Sequence, residues 1–296
     1  MFAKPFLKWA GGKGQLLADI DKRLPDGIKS GEIETYVEPF VGGGAVFFHI
    51  AQTCDKIKRF YLYDINEDLI RCYNFIKENV DAIVAELEIL QGAFFAKRTS
   101  DSRKHFYLSV REKFNLEKVS HFGFATAAKL IFLNKTCYNG LYRVNRKGEF
   151  NVPFGGYKKP TICDSHNLLN VSRVLQKAKI ICGDFESSDK YITRKTFVYF
   201  DPPYRPLSPT ASFTSYSKDN FTEKDQIRLA EFCKLLDRKG SEFLLSNSDP
   251  KNEDPTDHFF EDHYQGFSIE KVKAARPINC RASGRGQINE LLITNY

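Results

Sequence analysis

An α/β fold built around a mainly parallel sheet is the class this sequence predicts, and three observations predict it. Short apolar runs of strand character recur along the chain, the first four of them run into acidic or glycine-bearing turns, and stretches of helical periodicity lie between them. Such a sheet presents the carboxyl ends of its strands to a ligand crevice.

Taken in order, Thr35–Val37 runs into Glu38-Pro39, Arg59–Tyr63 into Asp64, Lys179–Cys182 into Gly183-Asp184, and Thr196–Phe200 into Asp201. Glu242–Leu245 and Glu290–Thr294 are two further runs. A helix is predicted over Thr222–Leu236, with Ile227, Leu229, Ala230, Cys233, Leu235 and Leu236 as its core-facing stripe and Thr222-Glu-Lys-Asp225 as a capped start. The middle of the chain differs. Residues 67–115 read as helical, and residues 134–160 read as short strands broken at Asn139-Gly140, Lys147-Gly148 and Gly155-Gly156, which is hairpin chemistry. This insert of about 95 residues between the second and third strands is the candidate for a separate substrate-reading domain. It divides the chain into a first part (1–66), the insert (67–160) and a second part (161–296). The loop from Arg205 to Phe221, carrying Phe213 and Tyr216, is expected to close over substrate or contact it. The acidic, proline-rich stretch Asp249–Asp257 receives no role.

Composition narrows the class of function. The chain has 296 residues, 42% of them hydrophobic and 27% charged, as in ordinary globular proteins. No apolar run approaches the roughly 18 residues of a membrane span, and the segment Met1–Trp9 is too short and too charged for a signal peptide, so a cytoplasmic address is expected. Seven scattered cysteines without a Cys-x-x-Cys pair predict reduced, mostly buried thiols, with neither a disulfide framework nor a zinc site, and no metal is expected. The formal charge of +7 is carried in part by two basic stretches. One spans Tyr138–Lys159 with Arg143, Arg146, Lys147, Lys158 and Lys159; the other spans Lys271–Gly286 with Lys271, Lys273, Arg276, Arg281 and Arg285. Together they favour a polyanionic partner.

The most informative residues are Asp201-Pro202-Pro203-Tyr204, which place a carboxylate, two prolines and an aromatic ring at a strand's carboxyl end. Proline fixes φ and removes a backbone donor, so the loop is stiff and its carbonyls are free to accept. A cluster of acceptors beside a ring suits a flat, amine-bearing substrate such as a nucleobase. Upstream, Glu38-Pro-Phe-Val-Gly-Gly-Gly44 lets backbone approach a ligand closely. Asp64, 20 residues past Gly44, is placed to accept ribose hydroxyls, and Asp184-Phe185 to bind and stack an adenine. A nicotinamide fingerprint is matched only in part, because Phe47 stands where its third glycine belongs, and a phosphate loop is weakened because Gly14 follows Lys13 and the upstream glycine is missing.

Read jointly and in order, Phe6-Leu-Lys-Trp-Ala-Gly-Gly-Lys13, Val37–Gly44, Tyr138-Asn-Gly-Leu-Tyr-Arg143, Gly148–Gly155, Gly183–Phe185, Asp201–Tyr204, Leu245–Ser248 and Glu290–Tyr296 resemble the adenine-N6 DNA methyltransferases of the Asp-Pro-Pro-Tyr class. The likeness spans nearly the entire chain. It implies a Rossmann-like methyltransferase sheet with an inserted helical and β-hairpin target-recognition domain, S-adenosylmethionine as methyl donor and double-stranded DNA as substrate. By this resemblance Trp9, Gly11 and Lys13 border the methionine portion of the cofactor, Glu38, Phe40, Gly42 and Gly44 its middle, Asp64 its ribose, and Asp184 with Phe185 its adenine. The reading segment resembles that of enzymes acting on GATC. Arg143 and Lys8 would then contact guanines, Tyr138 and Asn139 would enter the space of the displaced base, and Leu141 and Pro153 would pack on base edges.

The resemblance also implies that Asp201 and the Pro202 carbonyl accept from the adenine amine while Tyr204 stacks on the flipped ring. Two other readings remain open from the letters: transfer to another planar amine, on RNA or a protein amide, and DNA binding without catalysis on the same scaffold. A cognate restriction endonuclease in the same system is a further partner the family allows.

Overall fold

The computed structural model describes residues 2–205, 221–275 and 287–296. Its seven-stranded sheet contains β1 (Thr35–Glu38), β2 (Arg59–Asp64), β3 (Ala178–Cys182), β4 (Thr196–Phe200), β5 (Glu242–Ser248), β6 (Ser268–Ala275) and β7 (Gln287–Thr294) in the order β3-β2-β1-β4-β5-β7-β6. The first five strands run parallel, and β7 is antiparallel to both β5 and β6. All residues of β1 and β4 are buried, as expected for central parallel strands with both faces covered.

Side chains alternate across the sheet. Tyr36, Phe197 and Tyr199 enter one core, Val37, Val198 and Phe200 the other. The helices are α1 (Leu17–Asp21), α2 (Asp26–Ser30), α3 (Ala45–Thr53), α4 (Glu67–Ala96), α5 (Ser100–Ser120), α6 (Phe124–Thr136), α7 (Ser165–Leu175), α8 (Glu223–Arg238) and α9 (Phe259–His263). The first core lies under α3, α4 and α7 and continues without a break through Leu87, Phe94, Tyr107, Phe114 and Phe132 to Phe150 and Val152 of the insert. The second lies under α8 and α9. Asn66 caps α4 by accepting from Leu69 N at 3.0 Å, and non-helical backbone at Asn79 kinks this helix between its sheet-facing and insert-facing halves.

Expectation and structure differ in four places. β6 is a strand where the basic stretch was read only as charge: Val272 and Ala274 turn inward while Lys271 and Lys273 face out, a pattern suited to a sheet edge. The helix over Thr222–Leu236 forms with its Thr222–Asp225 capping box, but Ile227 lies off the buried face, which Gln226 and Phe232 join instead. The segment 137–160 is a hairpin without strands, joined by the isolated antiparallel bridges Cys137–Phe154 and Val144–Phe150. The chain takes left-handed backbone at Asn139 (φ 54°) and Gly148 (φ 80°), and Pro153 offers no donor to a ladder. Cys182 is exposed, while Cys72, Cys137 and Cys233 are buried. The expected substrate-closing residues Phe213 and Tyr216, and Cys280, Arg276, Arg281 and Arg285, lie outside the described residues.

Candidate active site

The strand order turns back between β1 and β4, since β1 leads outward to β2 and β3 and β4 to β5. A crevice opens at the carboxyl ends of such a pair. β1 ends there in Glu38, β2 in Asp64, and β4 runs directly into Asp201.

Asp201 receives Lys13 Nζ on Oδ1 at 2.7 Å and the Ser246 hydroxyl at 3.3 Å. Ser246, on β5, is itself tied to Tyr199 Oη at 3.0 Å. About a fifth of the Asp201 side chain (21%) is open. Burial pushes its carboxyl above the usual carboxylate range, Lys13 pulls against that, and nearby Glu290 adds to the rise. The Lys13 side chain is 4% exposed, donates to Gly11 O at 2.9 Å and stands 4.6 Å from the centre of the Tyr204 ring. An ammonium thus lies where an acceptor carboxylate and an aromatic face converge.

The motif is held from three further directions. Tyr204 Oη donates to Glu290 Oε2 on β7 at 2.7 Å, and burial raises the phenol's pKa. Gln226 of α8 donates to Pro203 O at 2.8 Å. Arg205 pairs with Glu223 at 2.9 Å and with Asp257, and its guanidinium lies 4.5 Å from the Phe259 ring. The Asp249–Asp257 stretch therefore anchors the residue that follows the motif. Among the described residues nothing donates to the Pro202 carbonyl.

Beside this lies the glycine turn. Gly42 and Gly44 have φ of 45° and 71°, and a Cβ at Gly42 would come within 2.8 Å of the Trp9 indole, at Gly44 within 2.6 Å of Tyr73 Oη. Gly42 N donates to Asp64 Oδ2 at 3.0 Å and Asn66 N to Oδ1 at 2.9 Å, so the second strand's carboxylate clasps the first strand's turn. Glu38 is buried, accepts from Tyr36 Oη at 2.6 Å, and is held well above the usual carboxylate range by burial. Asp64 is also raised by burial, against the hydrogen bonds it accepts. Phe40 packs on Phe185 and Phe221 at 5.6 Å each. Asp184 accepts from Glu186 N at 3.0 Å and pairs with Arg228 at 2.5 Å, and the same guanidinium covers the Phe185 ring at 4.6 Å. Among the described residues no group of His, Cys, Asp and Glu is placed to hold a metal ion.

The remaining predicted residues gather on one surface. Lys8 and Gly140 are joined through Asn134, whose side chain accepts from Lys8 N at 2.8 Å and donates to Lys8 O and Gly140 O. Lys8 Nζ lies 4.6 Å from the Tyr157 ring, whose hydroxyl accepts from Asn139 N at 3.0 Å. Tyr138 is exposed, its amide donates to Pro153 O at 2.9 Å, and Pro153 is exposed beside it. Leu141 is half-buried against the core. Arg143 is exposed and braced by Asn151, with Nε donating to its Oδ1 at 2.8 Å.

Sequence reasoning missed Ser246, Glu290, Gln226 and Tyr157 as parts of these two sites. Gln226 carried a signal, being a polar residue in register with Leu229, Ala230 and Cys233 on an apolar stripe. Glu290 sat in a run read as a strand and as part of the family resemblance, with no role given to its side chain.

The chain matches the family model for D12 class N6 adenine-specific DNA methyltransferase over residues 9–278. It is 52% identical over all of both chains to a type II methyltransferase, M.MjaIII, of Methanocaldococcus jannaschii. It is 38% identical to the type II methyltransferase M1.LlaDCHI of Lactococcus lactis, covering 99% of this chain and 95% of that one. To the DNA adenine methylase of Escherichia coli K12 it is also 38% identical, over 98% and 94% of the two chains. A match of this extent, joined to a seven-stranded sheet with an amine-accepting motif at its switch point, makes the chain a member of the D12 class of N6 adenine-specific DNA methyltransferases.

Proposed function

We propose that this enzyme methylates N6 of the adenine in GATC in double-stranded DNA, using S-adenosylmethionine, with residues 67–160 as the DNA-reading part between two catalytic parts. The observation that carries the reading is the convergence of the Asp201 carboxylate and the Tyr204 ring on the Lys13 side-chain nitrogen, beside a Pro202 carbonyl that accepts from nothing among the described residues. A group that holds one amine there is shaped to hold another.

The glycine turn fits the cofactor, since a side chain at Gly42 or Gly44 would collide with Trp9 or Tyr73. Asp64 clasps the turn through Gly42 N, and Asp201 and Asp64 lie close enough to Glu38 to raise its carboxyl further, so acidic groups gather at this end of the sheet. When bound, the cofactor supplies an electrophilic methyl on a sulfonium. Trp9, Gly11, Lys13, Phe40, Asp184 and Phe185 would complete its enclosure.

The chain's own residues do the rest. Adenine N6 is a weak nucleophile, because its lone pair is conjugated into the ring, and it is reached only after the base leaves the stack at a cost of a few kcal/mol. Lys13 must leave Asp201 as the amine arrives. Asp201 and the Pro202 carbonyl then accept both amine hydrogens, which draws the lone pair out of conjugation, an interaction stronger in the transition state than in the ground state. Tyr204, pinned by Glu290, offers a fixed face for the ring, so positioning supplies much of the acceleration.

The exposed set Lys8, Tyr138, Asn139, Arg143 and Pro153, with Leu141 beneath, supports reading of base edges, and Arg to guanine is the commonest such contact. Free cysteines and a DNA substrate fit a cytoplasmic enzyme. The two relatives named as type II methyltransferases fit a companion endonuclease cutting the same sequence. Methyl transfer to a GATC duplex and to one with that site scrambled tests the reading. Incorporation confined to GATC is expected, and equal incorporation into both would overturn the specificity.

A further inference from the structure

We propose that Tyr142 is a positioning residue for the cofactor loop, contributed from within the DNA-reading segment; the inference rests on the reading of the two sites given above. Tyr142 sits in sequence between Leu141 and Arg143, yet its ring stacks on Trp9 with centroids 5.8 Å apart and planes at 25°. The same side chain lies against the glycine turn, so closely that a Cβ at Gly42 would meet the indole at 2.8 Å and one at Gly43 would meet Trp9 Cβ at 3.0 Å. Trp9 thus touches the cofactor turn and the reading segment together.

Tyr142 is fixed at its other end. Its hydroxyl donates to Asp68 Oδ2 at 2.6 Å, and the same oxygen pairs with Lys118 of α5. Asp68 lies in the first turn of α4, two residues after the Asn66 cap, and is 8% exposed. A buried carboxylate held by one lysine and one phenol costs desolvation energy that packing alone does not require. What it provides is direction, because it sets the plane of the ring that backs Trp9. Phe150 packs on that ring from the hairpin at 5.8 Å.

The test is binding of S-adenosylhomocysteine to the full-length chain by calorimetry, in a double-mutant cycle. Tyr142→Leu removes stack and anchor and should weaken binding about three- to tenfold. Tyr142→Phe keeps the stack, loses the bond to Asp68, and should fall between parent and Tyr142→Leu. In a Trp9→Leu background the Tyr142→Leu change should shrink to less than about twofold, since the pair acts as a unit. Equal losses in both backgrounds, or unchanged binding by folded Tyr142→Leu, would overturn the proposal. Should Tyr142→Leu fail to fold, Tyr142→Phe and Asp68→Asn decide it: binding at the parent's strength by both refutes it. A parent that does not bind S-adenosylhomocysteine would count against the cofactor reading itself, which separates the two failures.

Discussion

The acceptor motif and the reading segment are built by opposite means. Asp201–Tyr204 grows from a fully buried strand; the Asp201 and Tyr204 side chains are tied to β5 and β7 through Ser246 and Glu290, and the Pro203 carbonyl to α8 through Gln226. Tyr138–Pro153 has no strand beneath it and holds its shape through bonds within the segment and clips from α5. Asn145 accepts from Lys147 N and Glu149 N at 2.9 and 3.0 Å, and Asn115 clips Phe150 at both backbone atoms. Methyl transfer needs atoms preorganised to within a fraction of an ångström. Groove reading needs side chains that reach outward from a surface, and a loop supplies that. The comparison predicts that substitutions in the first region act on turnover, and in the second on the choice of sequence.

The largest effect is expected at Asp201. Asp201→Ala removes the carboxylate proposed to accept from N6, and turnover should fall by about a thousandfold or more while S-adenosylhomocysteine binding stays near the parent's. Single-turnover methylation and equilibrium binding on the same preparation measure both. Near-normal turnover would remove Asp201 from the chemistry and, with it, the contrast between the regions. A smaller change is expected at Arg143, whose replacement by alanine should cost about 1–3 kcal/mol of discrimination at one base pair of GATC. A loss of equal size on every duplex would instead mark a phosphate contact.

How much of each region could be read from the letters follows from how it is built. β4 was legible because burial on both faces forces a continuous apolar run, and Asp201 because nothing in that run accounts for a carboxylate followed by two prolines. The glycine turn was legible because only glycine tolerates its backbone and the nearness of Trp9 and Tyr73. Long-range partners were not. Glu290 stands 86 residues from Tyr204, and Lys13 meets Asp201 across most of the chain, so no local pattern links them. In the reading segment Asn139-Gly140 and Lys147-Gly148 do mark turns, but Gly155-Gly156 forms none and the strands implied between the pairs do not form. Whether a reversal carries a ladder is decided by tertiary packing, here the seating of Phe150 against Phe114 and Tyr142. β6 was hidden for a related reason, because an edge strand shows half its pattern as charge.

The smallest predicted effect tests how finely the first region is tuned. Asp201 accepts from the target amine best when ionised, so kcat/KM should rise with pH through its pKa, which burial holds above the usual range. Lys13 opposes that rise and Glu290 adds to it. Lys13→Met should therefore move the acid limb of the profile to higher pH, and Glu290→Gln, which keeps an acceptor for Tyr204, should move it to lower pH, each by on the order of a unit or less. Opposite signs are the informative outcome, because a general loosening of the site would shift both variants the same way. Two shifts of one sign, or a limb that stays in place in both, would mean that a group other than Asp201 sets the limb. The charges around the acceptor motif would then serve to bind ligands and hold Tyr204 rather than to govern the carboxylate.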